Sequence, residues 1–263
     1  VQRLREALAE LEASGARKSG GSGRRWFAAA AAAGACAAAL WLFAASGKDH
    51  VLPTSHPSAL VWKDDLLWVS DWYAKTIYSL RMAPSGLAIA RRYELPESHV
   101  TGLALSHDRL YTADSWSGQI QRRLLDDALT VEAAVASPGA KPSALFFDGK
   151  YLWSADQDLR RIYQHADDKS MTVLQSYPVS LEPIALHADG AGFWTVDAQS
   201  VRIFRHYPPP NLSVEGSYRL RELVNDARPV SALTWRGRRL WIAKEGSKVL
   251  LERPAWRLRE QAR

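Results

Sequence analysis

The chain has 263 residues and a formal net charge of +6, with 11 Trp, 9 Tyr and 6 Phe against 2 Met and one Cys. Lysine and arginine against aspartate and glutamate give +4 for residues 1–48 (7 minus 3), −5 for 49–227 (17 minus 22) and +7 for 228–263 (10 minus 3), so the basic charge sits at the two ends. A net acidic body is a poor phosphate binder, which argues against nucleic acid as a partner, and a lone Cys36 excludes an intramolecular disulfide.

Gln2 to Ala13 read as a short helix with Leu4, Leu8 and Leu11 on one side, followed by a Ser/Gly linker that ends near residue 25. Residues 26–45 form an uncharged run of 20, twelve of them Ala, long enough to cross about 30 Å of hydrocarbon as a helix. Trp26, Phe27, Trp41 and Phe43 supply anchors near its ends. Arg17, Lys18, Arg24 and Arg25 precede the run and only Lys48 follows closely, so the positive-inside rule places the N-terminus in the cytoplasm. Residues 46–263 are then expected outside it, on the periplasmic side if the membrane is a bacterial inner one. A signal peptide cut after Ser46 and a lipoprotein acylated at Cys36 are the alternatives. The long leader opposes the first, and the apolar residues after Cys36 oppose the second.

Beyond the span one pattern recurs five times. A strand start (Pro57-Ser-Ala-Leu60, Val100-Thr-Gly-Leu103, Pro142-Ser-Ala-Leu145, Pro183-Ile-Ala-Leu186, Val230-Ser-Ala-Leu233) is followed by an aromatic strand (Leu67-Trp-Val-Ser-Asp71, Leu110-Tyr-Thr-Ala-Asp114, Leu152-Trp-Ser-Ala-Asp156, Phe193-Trp-Thr-Val-Asp197, Leu240-Trp-Ile-Ala-Lys244). A third, alternating strand comes next. The last residues of the aromatic strands lie 43, 42, 41 and 47 apart. Four strands of about five residues with their turns need about 40 residues, the length of one β-propeller blade. Small residues at 59, 102, 144, 185 and 232 suit innermost strands that converge on an axis, and the next Leu points the other way, between sheets. The expected fold is therefore all-β: one five-bladed β-propeller, preceded by one transmembrane helix.

Fourth strands are expected at Ile89 to Leu95, Thr130 to Ala136, Thr172 to Tyr177 and Val214 to Leu220, but the fifth repeat has no room for one after Glu252. His50-Val-Leu-Pro-Thr-Ser-His56 mirrors Tyr93-Glu-Leu-Pro-Glu-Ser-His99. The N-terminal segment is thus expected to supply the outer strand of the last blade and remove its open edge.

The repeats over residues 50–253 resemble the NHL and YWTD families of β-propeller, Leu67-Trp-Val-Ser-Asp71-Trp72 and Leu110-Tyr-Thr-Ala-Asp114-Ser115 being close to the YWTD form and Pro142-Ser-Ala-Leu145 to the NHL strand start. Lys244 for Asp and five blades in place of the usual six depart from the YWTD pattern. The resemblance implies the fold and leaves the function open, since such propellers include receptors, scaffolds and a few enzymes.

The recurring Asp71, Asp114, Asp156 and Asp197 are read as acceptors for turn or neighbouring-blade hydrogen bonds, rather than as a carboxylate cluster for metal or acid-base work, because a ring disperses them. With Asn only at 211 and 225, and no Gly-x-Ser-x-Gly elbow, no catalytic set, metal site or cofactor is assigned. Strand alternation collects the start of strand one, the end of strand two and the turn after it on one face, here the far face. There the candidate partner-binding residues are Trp72, Tyr73, Lys75, Trp116, Gln157, Arg160 and Glu245, and the channel-mouth residues are His56, His99, Lys141 and Glu182. The near face is expected to abut the bilayer, with Arg253, Trp256, Arg257, Arg259 and Arg263 of the basic tail at the membrane surface. The expected role is a protein-binding or scaffolding subunit that holds another protein or a membrane complex. The alternative is a propeller hydrolase or lyase acting on a small ligand in the channel.

Overall fold

The computed structural model describes residues 47–189, 192–224 and 228–260. The leader helix, the linker and the apolar run at 26–45 lie outside them, as does Arg263. Among the described residues no helix is long and apolar enough to cross a membrane.

Five antiparallel sheets follow the five sequence repeats. After β1 (Lys48–Val51), blade one holds β2 (Pro57–Lys63), β3 (Leu66–Asp71), β4 (Thr76–Ala83) and β5 (Gly86–Glu94). Blade two holds β6 (Val100–Leu105), β7 (Arg109–Asp114), β8 (Gln119–Leu124) and β9 (Val131–Ala136), and blade three β10 (Pro142–Phe147), β11 (Leu152–Asp156), β12 (Arg161–His165) and β13 (Val173–Pro178). Blade four comprises β14 (Pro183–Asp189), β15 (Gly192–Asp197), β16 (Ile203–His206) and β17 (Val214–Arg219). A four-residue helix, α1 (Arg221–Val224), leads to blade five with β18 (Val230–Arg236), β19 (Arg239–Lys244) and β20 (Val249–Pro254), and the chain ends in β21 (Arg259–Glu260). The first strands adjoin one another in the cycle β2, β6, β10, β14, β18 and back to β2, which closes the ring.

The core is five layers, one between each pair of neighbouring blades. Each layer receives one ring from the second-strand column: Trp68, Tyr111, Trp153, Trp194 and Trp241, all buried. Rings of this kind bury about 150–250 Å² each, or about 4–6 kcal/mol at about 25 cal/mol/Å². The small third residue of each first strand faces the next blade and the following Leu faces the previous one. Ala59 packs with Leu103 of blade two, and Leu60 with Ala232 of blade five. The reason for the small residue is the neighbouring backbone: a Cβ on Gly102 would lie 2.9 Å from the Leu145 nitrogen.

The ring is closed where the sequence placed the seam. β1 pairs antiparallel with β20, Lys48 opposite Glu252 and Val51 opposite Val249, as the outermost strand of blade five. His50 is buried, meets Glu252 at 2.7 Å and stacks on Trp241 at 4.9 Å.

The tail corrects an expectation. Arg253, placed in the sequence at a membrane surface, is buried because β20 runs on through it to Pro254. Its guanidinium donates to Asp49 (2.8 Å), Glu222 (3.0 Å) and the carbonyls of Lys48 and Glu252. Arg257 also turns to Glu222, at 3.1 Å. Arg259 lies in β21, whose backbone pairs with Tyr218 and Arg219 as a fifth strand of blade four. Trp256 is exposed. The carboxylates that neutralise Arg253 and Arg257 belong to two other segments, Asp49 lying 204 residues and Glu222 31 and 35 residues away, and no local pattern announces them.

Candidate functional site

The far face is built from a device repeated blade by blade. In blades one to four the carboxylate that ends the second strand caps the turn after it and ties down the loop leading into the first strand of the same blade. Asp114 accepts from the N–H groups of Trp116 (2.8 Å), Ser117 (3.0 Å) and His99 (2.8 Å). Asp156 accepts from Leu159 and Lys141, and Asp197 from Ser200 and Glu182. Asp71 caps Tyr73 and Ala74 and accepts from the Thr54 hydroxyl, which in turn accepts from the His56 N–H at 3.0 Å. The four carboxylates therefore fix the backbone positions of His56, His99, Lys141 and Glu182, the residues expected from the sequence at the channel mouth; of these Lys141 lines the cavity at the far end of the channel. In blade five Lys244 takes the place of the carboxylate and donates to the Glu222 carbonyl at 3.2 Å.

A second device shapes the mouth itself. In all five blades the pairing of strands one and two slips at the second residue, a β-bulge between Pro57/Ala59, Val100/Gly102, Pro142/Ala144, Pro183/Ala185 and Val230/Ala232. A bulge re-aims the extra side chain. Ser58, Thr101, Ser143, Ile184 and Ser231 thereby line a cavity of about 340 Å³ at the far end of the channel. Three of their hydroxyls stitch one blade to the next: Ser58 donates to the Val100 carbonyl (2.5 Å), Thr101 to Pro142 (2.8 Å) and Ser143 to Pro183 (2.5 Å). The Ser231 hydroxyl is buried without a partner.

Of the far-face residues named from sequence, Trp72, Trp116, Lys141, Gln157 and Glu245 line this cavity. Three rings form a ladder: His99 stacks on Trp116 at 4.8 Å, and Trp116 on Trp72 at 5.2 Å. The Trp72 indole N–H donates to Glu245 at 3.2 Å, and the other oxygen of that carboxylate meets His56 Nδ1 at 2.5 Å. Tyr73 packs on His56 at the rim; it and Trp116 are 69% and 59% exposed, which leaves an aromatic surface open around the mouth. Lys75, Arg160 and Glu182 stand apart from the cavity: Lys75 donates to the Pro96 carbonyl, and Arg160 pairs with Glu182 at 2.9 Å. The bulge hydroxyls were missed in the sequence, although their column stands beside the small-residue column in every repeat.

Two hydroxyl–imidazole pairs have the look of nucleophile and base, Ser154 with His165 (2.7 Å) and Thr195 with His206 (2.8 Å). Both imidazoles are buried inside their blades. Their Nδ1 atoms face the carbonyls of Met171 and Leu212 at 2.9 and 2.8 Å, so Nδ1 carries the proton and the hydroxyl donates to Nε2. Arg123 does the same in blade two, reaching Thr112 and the Leu129 carbonyl. Leu129, Met171 and Leu212 each adopt a positive φ, of 50°, 45° and 47°, and plug their side chains into the core. The column holds the turn between strands three and four.

Burial holds both imidazoles below the ordinary histidine value. The unfolded chain then binds more protons between the folded pKa and about 6.5, so stability present above about pH 6.5 is lost as pH falls below it. Each histidine sets a limit of about 1.4 kcal/mol per pH unit. The urea midpoint is expected to be flat from pH 8 to 7 and to fall from pH 6.5 to 5. A His165→Gln, His206→Gln double variant should lose most of that slope; an unchanged slope would refute the assignment.

Among the described residues, no three His, Cys, Asp or Glu side chains gather as metal ligands would. No protein-family model matches the sequence, and no curated protein matches it. Solved structures match in fold. A glutaminyl cyclase from Myxococcus xanthus superposes on 81% of this chain and 94% of its own with a TM-score of 0.66 at 14% identity. A streptogramin B lyase covers 82% of this chain and 98% of its own, with a TM-score of 0.50 at 13% identity. BamB from Moraxella catarrhalis reaches only 0.45, over 82% of this chain and 62% of its own, at 12% identity. At such identities the likeness is one of fold alone.

Proposed function

We propose that this chain is a binding or scaffolding protein whose propeller, tethered through residues 26–45 on the extracytoplasmic side of a membrane, holds another protein or a membrane complex on its far face. The observation that carries the reading is the aromatic surface around the channel mouth, where exposed Tyr73 and Trp116 flank half-buried Trp72 above a cavity of about 340 Å³. Aromatic side chains of this kind are favoured interface anchors, each worth about 2 kcal/mol or more when it is a hot spot. The reading also takes the repeats to be of the NHL or YWTD kind.

The cavity favours a second reading, a hydrolase or lyase acting on a small ligand in the channel. That reading requires polar, ionisable side chains converging on one reacting atom. The lining offers one carboxylate, Glu245, and one ammonium, Lys141.

The test is a Trp72→Ala, Trp116→Ala double variant of the full-length chain, crosslinked in membranes, with captured proteins identified and quantified against wild type. The specific partner is expected to drop by about 30-fold or more, the equivalent of about 2 kcal/mol, while the unfolding midpoint of the propeller stays within a few degrees. Unchanged recovery would overturn the docking role.

A further inference from the structure

The chemistry of the funnel floor narrows what it receives. The hydroxyl protons of Ser58, Thr101 and Ser143 are committed to the carbonyls of Val100, Pro142 and Pro183. Toward the cavity these groups have only lone pairs to offer, and the carbonyl oxygens behind them add to a negative potential. Glu245 contributes a carboxylate whose two oxygens each hold one further acceptor position beyond His56 and the Trp72 indole. Ser231 adds a buried hydroxyl with no partner. Lys141, the one cation on the lining, spends its charge at the rim, with its ammonium 3.0 Å from Asp158. Ser115 and Gln157 can turn either way, and Ile184 and Val230 supply apolar wall for a hydrocarbon stem.

Resting on the reading of the far face as a docking surface, we propose that the funnel receives a primary ammonium group, presented as a lysine side chain of the partner protein. An ammonium has three N–H donors pointing in different directions, and a ring of hydroxyl oxygens around an axis matches that better than it matches the flat fork of a guanidinium. The stem lies between Trp72 and the Ile184–Val230 side, and the charge meets Glu245.

The test is calorimetric titration of the wild-type protein with Nα-acetyl-lysine methylamide, against the norleucine analogue that keeps the stem without the charge, the arginine analogue, and free butylamine. The lysine probe is expected to saturate and to bind about tenfold or more tighter than the norleucine probe, with arginine weaker than lysine. Glu245→Gln should remove about tenfold of that affinity and reduce partner recovery in parallel, as loss of a charge-assisted hydrogen bond does. Equal binding of lysine and norleucine probes, or no saturation, overturns the proposal on the wild-type protein alone, whatever Glu245→Gln does to folding. If butylamine matches the lysine probe and Glu245→Gln leaves partner recovery unchanged, the funnel serves a free amine and the lysine assignment falls. The docking role is judged separately, by the Trp72/Trp116 variant, so it can stand when this proposal fails.

Discussion

Removing residues 47–52 from the full-length chain is expected to lower the unfolding midpoint of the propeller by about 15 °C or to abolish its cooperative transition. The deletion strips β1 from β20, leaving the backbone groups of Val249 to Glu252 without their ladder. It also takes away buried Leu52 and the His50 ring that covers Trp241. One Leu side chain contributes about 2 kcal/mol, and a ladder hydrogen bond about 1 kcal/mol. The sum is on the order of 5 kcal/mol, and each kcal/mol moves the midpoint of a domain this size by about 2–4 °C. More than local energy is lost, because an open ring exposes two blade faces that were each other's core. A milder variant, His50→Ala with Leu52→Ala, keeps the chain length and should show about half the shift. A midpoint within a few degrees of wild type in both variants would mean that the seam does not hold the ring.

Replacing Arg253 with Met should cost about 2–3 kcal/mol, seen as a fall of about 5–10 °C in the midpoint. The side chain is 9% exposed and joins three parts of the fold: β1 through Asp49 and the Lys48 carbonyl, its own strand through the Glu252 carbonyl, and α1 through Glu222. Breaking a buried pair costs about 3–5 kcal/mol when the partner is left buried. Asp49 and Glu222 are 59% and 32% exposed, so water takes up part of the loss and the lower figure applies. Arg253→Met with Glu222→Gln should be less destabilising than the sum of the two single changes, the sign of a direct coupling. An arginine lying on a surface would instead cost under about 0.5 kcal/mol and show no coupling, and that result would return Arg253 to the tail's basic face.

The period near 42, the alternation of Ala and Leu in each first strand and the repeated aromatic were enough to determine five blades. A propeller blade is a local unit, its strands consecutive in the chain, so its pattern is written in consecutive residues. The closing strand was legible for the same reason: His50 to His56 repeats the segment that precedes blade two, and an unpaired edge required a strand from elsewhere. The role of the Asp column followed from geometry, since residues spread around a ring cannot converge. Other features belong to the tertiary structure alone. The bulges that turn Ser58, Thr101, Ser143, Ile184 and Ser231 into the channel depend on register between two strands, and single-chain alternation would have sent these side chains between the sheets. The contact of Glu245 with His56 and Trp72 spans 189 and 173 residues and exists only because blade five adjoins blade one. Arg253 was the first residue of a basic tail until β20 proved two residues longer than its pattern, and Glu222 arrived from α1, a helix with no counterpart in the other repeats. Repetition carries what each blade does by itself; the funnel and the seam are made where blades meet, and that meeting is decided by ring closure.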